Sequence, residues 1–129
     1  MMNILLVGIG GFIGSVLRYL IGLTVSSINF FPLATFIVNI IGSFLIGLIS
    51  AYLIKFTNKD IIFLNLSSEQ LNLLFIVGIL GGFTTYSAFS NELVSLLKEE
   101  RFVSAAIYLF ATIILCLFST FIGSKAIQQ

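Results

Sequence analysis

Four long apolar stretches alternate with short polar breaks along the chain, and length decides what each can be. Residues 3–25 and 32–54 are each long enough to cross a hydrocarbon core of about 30 Å as a tilted helix. A fourth stretch of the same kind covers 102–124. The third, 69–97, is different. At about 1.5 Å per residue it would measure some 45 Å, more than the core needs. Its middle reads Gly81-Gly82-Phe83-Thr84-Thr85. Glycine costs about 1 kcal/mol against alanine in a helix, and β-branched threonine adds a smaller penalty. The pattern therefore predicts a helix broken at 81–85. A break in hydrocarbon frees carbonyls and amides that lipid cannot bond, so it must be buried in protein or line a polar cavity. Ion and substrate sites in transporters are often built this way. The plainer alternative is a notch that admits a close neighbouring helix.

Polar residues within the spans fall on shared faces. Thr35, Asn39, Ser43, Gly47 and Ala51 recur every four residues and so lie on one side of the second helix. Asn39 is its most informative member. A carboxamide in hydrocarbon needs partners, either an anion for its NH₂ group or a neighbouring helix that it ties in place. The fourth span carries Tyr108, Thr112 and Cys116 at the same interval, continuing to Ser119 or Thr120. In the first span Gly10 and Gly14 have the spacing that lets helices approach closely in lipid. Arg18 in the same span is expensive there; it acts either as a structural anchor or as a vestibule cation that attracts anions.

The connections carry conventional signals. Ser26-Ser27-Ile28-Asn29 is a short link, and Pro32 suits the first turn of the second helix. Ser67 and Gln70 have capping-box spacing at the start of the third helix. The apolar run Ile61 to Leu64 is too short to span and suits the membrane interface.

Composition narrows the class. Of 129 residues, 59% are hydrophobic and 9% are charged, with a mean hydropathy of +1.19. Soluble domains carry about 25% charged residues, so this is an all-α integral membrane protein, multi-pass in the cell membrane with lipid as its surroundings. The Met-Met-Asn start has no charged, cleavable leader pattern, and one domain is expected. There are no histidines and one cysteine, so neither a His-based metal site nor an intrachain disulfide is available. A net charge of +1 provides no basic arm for nucleic acid. Nothing in the sequence suggests an enzyme. Lys55, Lys59 and Lys125 fall on the side of the termini, and Arg18, Lys98 and Arg101 on the other. This even division gives almost no orienting bias. Either partner proteins set the topology, or copies insert both ways round and pair as antiparallel dimers.

Three segments together resemble a known family. Gly10-Gly11-Phe12-Ile13-Gly14-Ser15-Val16-Leu17-Arg18-Tyr19 resembles the first-helix pattern of the Fluc (CrcB) fluoride channels. Thr35 through Phe44, TFIVNIIGSF, is similar to their second-helix segment, and Gly81 through Phe89, GGFTTYSAF, to their third-helix signature. The resemblance implies a dual-topology antiparallel homodimer that conducts fluoride passively out of the cell, preventing toxic accumulation. It implies a sodium ion at the centre, structural and not transported, held by the backbone carbonyls of Gly81 and Thr84. It places Asn39, Tyr86, Phe89, Ser87, Tyr108 and Thr112 along the pore and Arg18 in its vestibule. Tyr86 stands where the family has Phe, Ala88 where it has Thr, and Cys116 where a serine or threonine is expected.

The residues agree with that chemistry. Fluoride is small and tightly hydrated, so a pore must replace its water with donors such as Asn39, Ser87 and Thr112. Ring edges carry the positive part of the aromatic quadrupole and can meet an anion without a full charge. A small four-helix multidrug transporter, the alternative, needs a carboxylate deep in the membrane. The first span offers Arg18 instead, and the only acid near the predicted membrane core, Glu92, lies towards one end of its helix. A structural membrane subunit without transport would leave the break and the polar faces unexplained.

Overall fold

The computed structural model describes residues 1–25, 31–56 and 66–127. The link Ser26–Asn29, the run Ile61–Leu64 and Lys59 lie outside the described residues. Helices α1 (Met2–Thr24) and α2 (Leu33–Phe56) are followed by a segmented third span, Ser68–Lys98, and by α6 (Phe102–Lys125). Among the described residues these four are apolar and long enough to cross a membrane. The third span begins with α3 (Ser68–Asn72), whose capping box is complete: Gln70 N–H donates to Ser67 Oγ, and the Gln70 side chain accepts from Ser67 N–H. A π-helical segment, Leu73–Leu80, comes next, then one turn, α4 (Gly81–Phe83), and finally α5 (Tyr86–Lys98).

The glycines remain helical, and the backbone leaves the helix at the threonines. Thr84 (φ −76°, ψ 154°) and Thr85 (φ −150°, ψ 116°) are extended. Two consecutive extended residues redirect the chain, and Thr85 then caps α5 by accepting from Ala88 N–H at 3.1 Å. Gly82 stays in the helix because its missing side chain is needed for packing. A Cβ there would lie 2.6 Å from the carbonyl oxygen of Gly11.

Small residues assemble the bundle as two close pairs of helices running in the same direction. In the first pair α1 lies against the π-helical segment and α4. A Cβ on Gly10 would come within 2.5 Å of Leu74 O, and Gly14 fits against the Ile79 carbonyl. The second pair is α2 and α6, where Gly47 fits against the Thr120 carbonyl and Gly123 against that of Phe44. Ser119 adds a hydrogen bond to Ile40 O at 3.1 Å. Such contacts trade side-chain volume for backbone proximity, the usual basis of association in lipid. α5 packs on α6 through Phe89, Leu96, Ala105 and Tyr108. At its end, Arg101 N–H bonds Leu96 O and Glu100 N–H bonds Leu97 O, with Glu100 left-handed at φ 58°. This Schellman turn lets α6 start within a few residues.

Gly42 connects packing to the break. A side chain there would collide with Thr84 Cγ2, and Phe83 Cδ1 lies 3.3 Å away. Gly42→Ala is expected to lower thermal stability by about 1–3 kcal/mol, as overpacking does. Adding Thr84→Ser to that chain removes the opposing methyl and should restore most of the loss. A double variant no more stable than Gly42→Ala alone would show that Gly42 does not act through Thr84.

Candidate functional site

The break is held by one side chain. Asn39 on α2 is buried and faces Thr85. Its Oδ1 accepts from Thr85 N–H at 2.9 Å, and its Nδ2 donates to Thr85 O at 3.1 Å. The carboxamide thus meets the peptide groups of Thr85 as a β-strand neighbour would. This diverts two amides from the helical pattern. In an unbroken helix Thr85 N–H would bond Gly81 O, and Ala88 N–H would bond Thr84 O. Here the first goes to Asn39 and the second to the Thr85 hydroxyl. Gly81 and Thr84 are therefore among the four positions, 81 to 84, whose carbonyls lose their helical donors. Two other carbonyls at the break have donors among the described residues. Leu80 O keeps its helical donor, Thr84 N–H, and also accepts from Thr84 Oγ1, both at 2.9 Å, while Gly82 O accepts from Arg18 Nε at 3.2 Å in place of Tyr86 N–H.

An open groove of about 280 Å³ runs beside the break, with Asn39, Ser43, Thr84, Thr85, Tyr86, Phe89, Thr112 and Cys116 among its lining residues. Thr112 is buried, and its Oγ1 has no hydrogen-bond partner among the described residues. Buried hydroxyls are nearly always bonded, so this one marks a place for a polar occupant. The Tyr86 and Phe89 rings lie 5.8 Å apart, Tyr86 80% exposed and Phe89 only 4%. A second cleft of about 460 Å³ shares Ile46 with the first and extends between α2 and α6 past Thr120 and Ser124 to Lys55.

The groove thus gathers Asn39, Thr84, Tyr86, Phe89 and Thr112 from three separate spans. Ser87 is at its edge, its hydroxyl 3.1 Å from that of Thr85. Arg18, Gly81 and Tyr108 do not line it. Arg18 reaches the break as a clamp on Gly82 O. Tyr108, fully buried, stands behind Phe89, with ring centroids 5.1 Å apart.

The residue that sequence reasoning left without a role is Glu92. Tyr108 Oη donates to its Oε2 and Thr35 Oγ1 to its Oε1, both at 2.7 Å. One carboxylate joins α2, α5 and α6 one helical turn from the level of Asn39 and Thr112. The available signal was the pair of four-residue intervals, Thr35 to Asn39 and Tyr108 to Thr112. Those intervals put Thr35 and Tyr108 on a common level.

With this geometry in place, comparison with known proteins is decisive. The profile described as CrcB-like protein, Camphor Resistance (CrcB), matches residues 5–124. The chain belongs to the CrcB family. Among its relatives is the fluoride-specific ion channel FluC of Oceanobacillus iheyensis, 39% identical over 125 residues, which cover 97% of this chain and 91% of that protein. FluC 1 of Methanosarcina acetivorans is 42% identical, with coverage of 95% and 88%. FluC of Ruminiclostridium cellulolyticum is 41% identical, with coverage of 95% and 90%.

The Glu92 hub generates a coupling test. Removing a partner from a buried hydrogen bond costs about 1–3 kcal/mol. Glu92→Ala and Tyr108→Phe should each destabilise the protein to thermal unfolding in detergent. Combined, they should cost clearly less than the sum, because each removes the same bond. Additive losses would contradict the hub.

Proposed function

We propose that this chain is a fluoride-selective channel of the cell membrane that works as an antiparallel homodimer. The observation that carries the reading is the groove wall. It brings Asn39 and Thr112, whose buried hydroxyl is unpartnered among the described residues, together with Phe89 and Tyr86. Asn39 commits one N–H to Thr85 O and keeps a second for an anion. Ser87 supplies a further hydroxyl near the mouth. These are neutral donors, several of them, each of moderate strength. Conduction needs that balance, because a full cation in the lining would hold fluoride too long. The ring edges add favourable potential without charge. Flow is then passive. A membrane potential acts on an anion with about 2.3 kcal/mol per 100 mV, enough to drive fluoride from a negative interior.

The site at the break suits a sodium ion. Its donors are the carbonyls of Gly81 and Thr84, hard oxygens at the end of a half-helix, the kind of group that holds Na⁺ in broken transporter helices. Bound there, the cation would supply positive potential near the membrane centre. Gly81 is exposed on the single chain. An antiparallel copy would bring a second pair of carbonyls to the same place, and the even charge division supports insertion in both orientations. Arg18 donates to Gly82 O, one of the carbonyls between those of Gly81 and Thr84. Lipid would cover the remaining apolar faces.

A transporter reading has less support. Both oxygens of Glu92, the acid deepest within the spans, already accept hydrogen bonds from Thr35 and Tyr108.

Proteoliposomes loaded with fluoride should release it once a potassium ionophore balances charge, while chloride-loaded vesicles should retain their anion. Equal release of both, or release that requires a proton gradient, would contradict the reading. In intact cells, cysteine tags near Asn58 and Gln128 should each label from both faces in roughly equal amounts. Labelling from one face only would exclude the antiparallel pair.

A further inference from the structure

We propose that Ser43 is a further fluoride ligand, the donor that an ion meets one helical turn along α2 from Asn39. The inference rests on the groove being the path of fluoride. Ser43 lies on the face of α2 that carries Thr35 and Asn39, is half-buried, and lines the groove beside the break. Thr35 gives its proton to Glu92, and Asn39 gives one N–H to Thr85 O. Ser43 Oγ has no hydrogen-bond partner among the described residues.

That freedom is unusual in this chain. A serine inside a helix commonly bonds the carbonyl three or four residues back, as Ser90, Ser95 and Ser124 do. Ser43 does not, so its proton stays available. The threonines that line the break are committed. Thr84 Oγ1 donates to Leu80 O, and the Thr85 hydroxyl caps α5 and pairs with that of Ser87. Past Thr112, the hydroxyls of α6 are committed too: Ser119 to Ile40 O, Thr120 to Cys116 O and Ser124 to Phe121 O. Cys116 lines the groove but offers only a weak S–H donor. Among the serine and threonine hydroxyls lining the groove, Ser43 on α2 and Thr112 on α6 therefore remain free to bind an anion.

The position of Ser43 gives its donor a use. The next residue of α2 on the lining is Ile46, which borders both the groove and the cleft that leads to Lys55. An ion moving that way from Asn39 meets an apolar wall, where an anion without donors is costly. Ser43 supplies a neutral hydroxyl just before it. Such a group replaces part of the ion's water without holding it as a full cation would.

The test compares Ser43→Ala and Ser43→Thr with the parent, by fluoride release from proteoliposomes and by thermal unfolding in detergent. Ser43→Ala should slow release about tenfold, the effect of losing one hydrogen bond to an ion, while Ser43→Thr keeps most of the rate. The Tm of Ser43→Ala should stay within about 2 °C of the parent, because no internal hydrogen bond is lost. Unchanged release in Ser43→Ala from an active parent would overturn the proposal. Equally slow release in both variants would overturn it, as would a large fall in the Tm of Ser43→Ala, which would make the residue structural. A parent that released no fluoride would overturn the functional reading itself, and this assignment with it.

Discussion

Inside a bilayer an unpaired peptide group costs several kcal/mol, so a transmembrane helix can be interrupted only where other groups take over its bonds. In this protein the Asn39 carboxamide does so for Thr85, bonding both N–H and C=O of one residue. The rest of the site depends on that exchange. Gly42, nearly one turn along the same face, leaves room for the Thr84 side chain, so α2 both holds and admits the break. Thr85 caps the second half-helix, Arg18 binds the carbonyl of Gly82, and the carbonyls of Gly81 and Thr84 are left without their helical donors. Strand-like backbone in the membrane is here built from one amide side chain and one glycine.

The same arrangement positions the groove. Starting α5 at Tyr86 puts Phe89 inward and Tyr86 outward, and it aligns Glu92 with Thr35 and Tyr108. The carboxylate lies behind the wall, both of its oxygens accepting hydrogen bonds from the protein. Its two oxygens are met by two hydroxyls, those of Thr35 and Tyr108. The donors left towards the groove are neutral, as weak and reversible anion binding requires.

Much of this was legible in the residues. The four spans follow from apolar length, and the interruption of the third from glycine and threonine propensities. The glycines were informative for a different reason than conformational freedom. Gly81 and Gly82 remain helical with no positive φ, and Gly82 serves close approach to α1, while the extended backbone belongs to the threonines. The π-helical run Leu73–Leu80 had no signal, because its residues are uniformly apolar and its register depends on α1 beneath it. Of the two roles open to Arg18, the structure gives the anchor a specific partner, Gly82 O, 64 positions away. Glu92 was similarly opaque, since its partners come from other helices and local spacing places it only near a helix end.

The central claim is that Asn39 holds Thr84 and Thr85 out of the helix. Solid-state NMR on protein labelled with ¹³C and ¹⁵N in lipid bilayers tests it most directly. The account predicts extended-backbone carbon shifts for both threonines and a through-space correlation between Asn39 Nδ2 and the Thr85 carbonyl carbon. In Asn39→Leu that correlation should vanish and the threonine shifts should move towards helical values. Helical shifts at Thr84 and Thr85 in the parent protein, or extended shifts unchanged by the substitution, would contradict it.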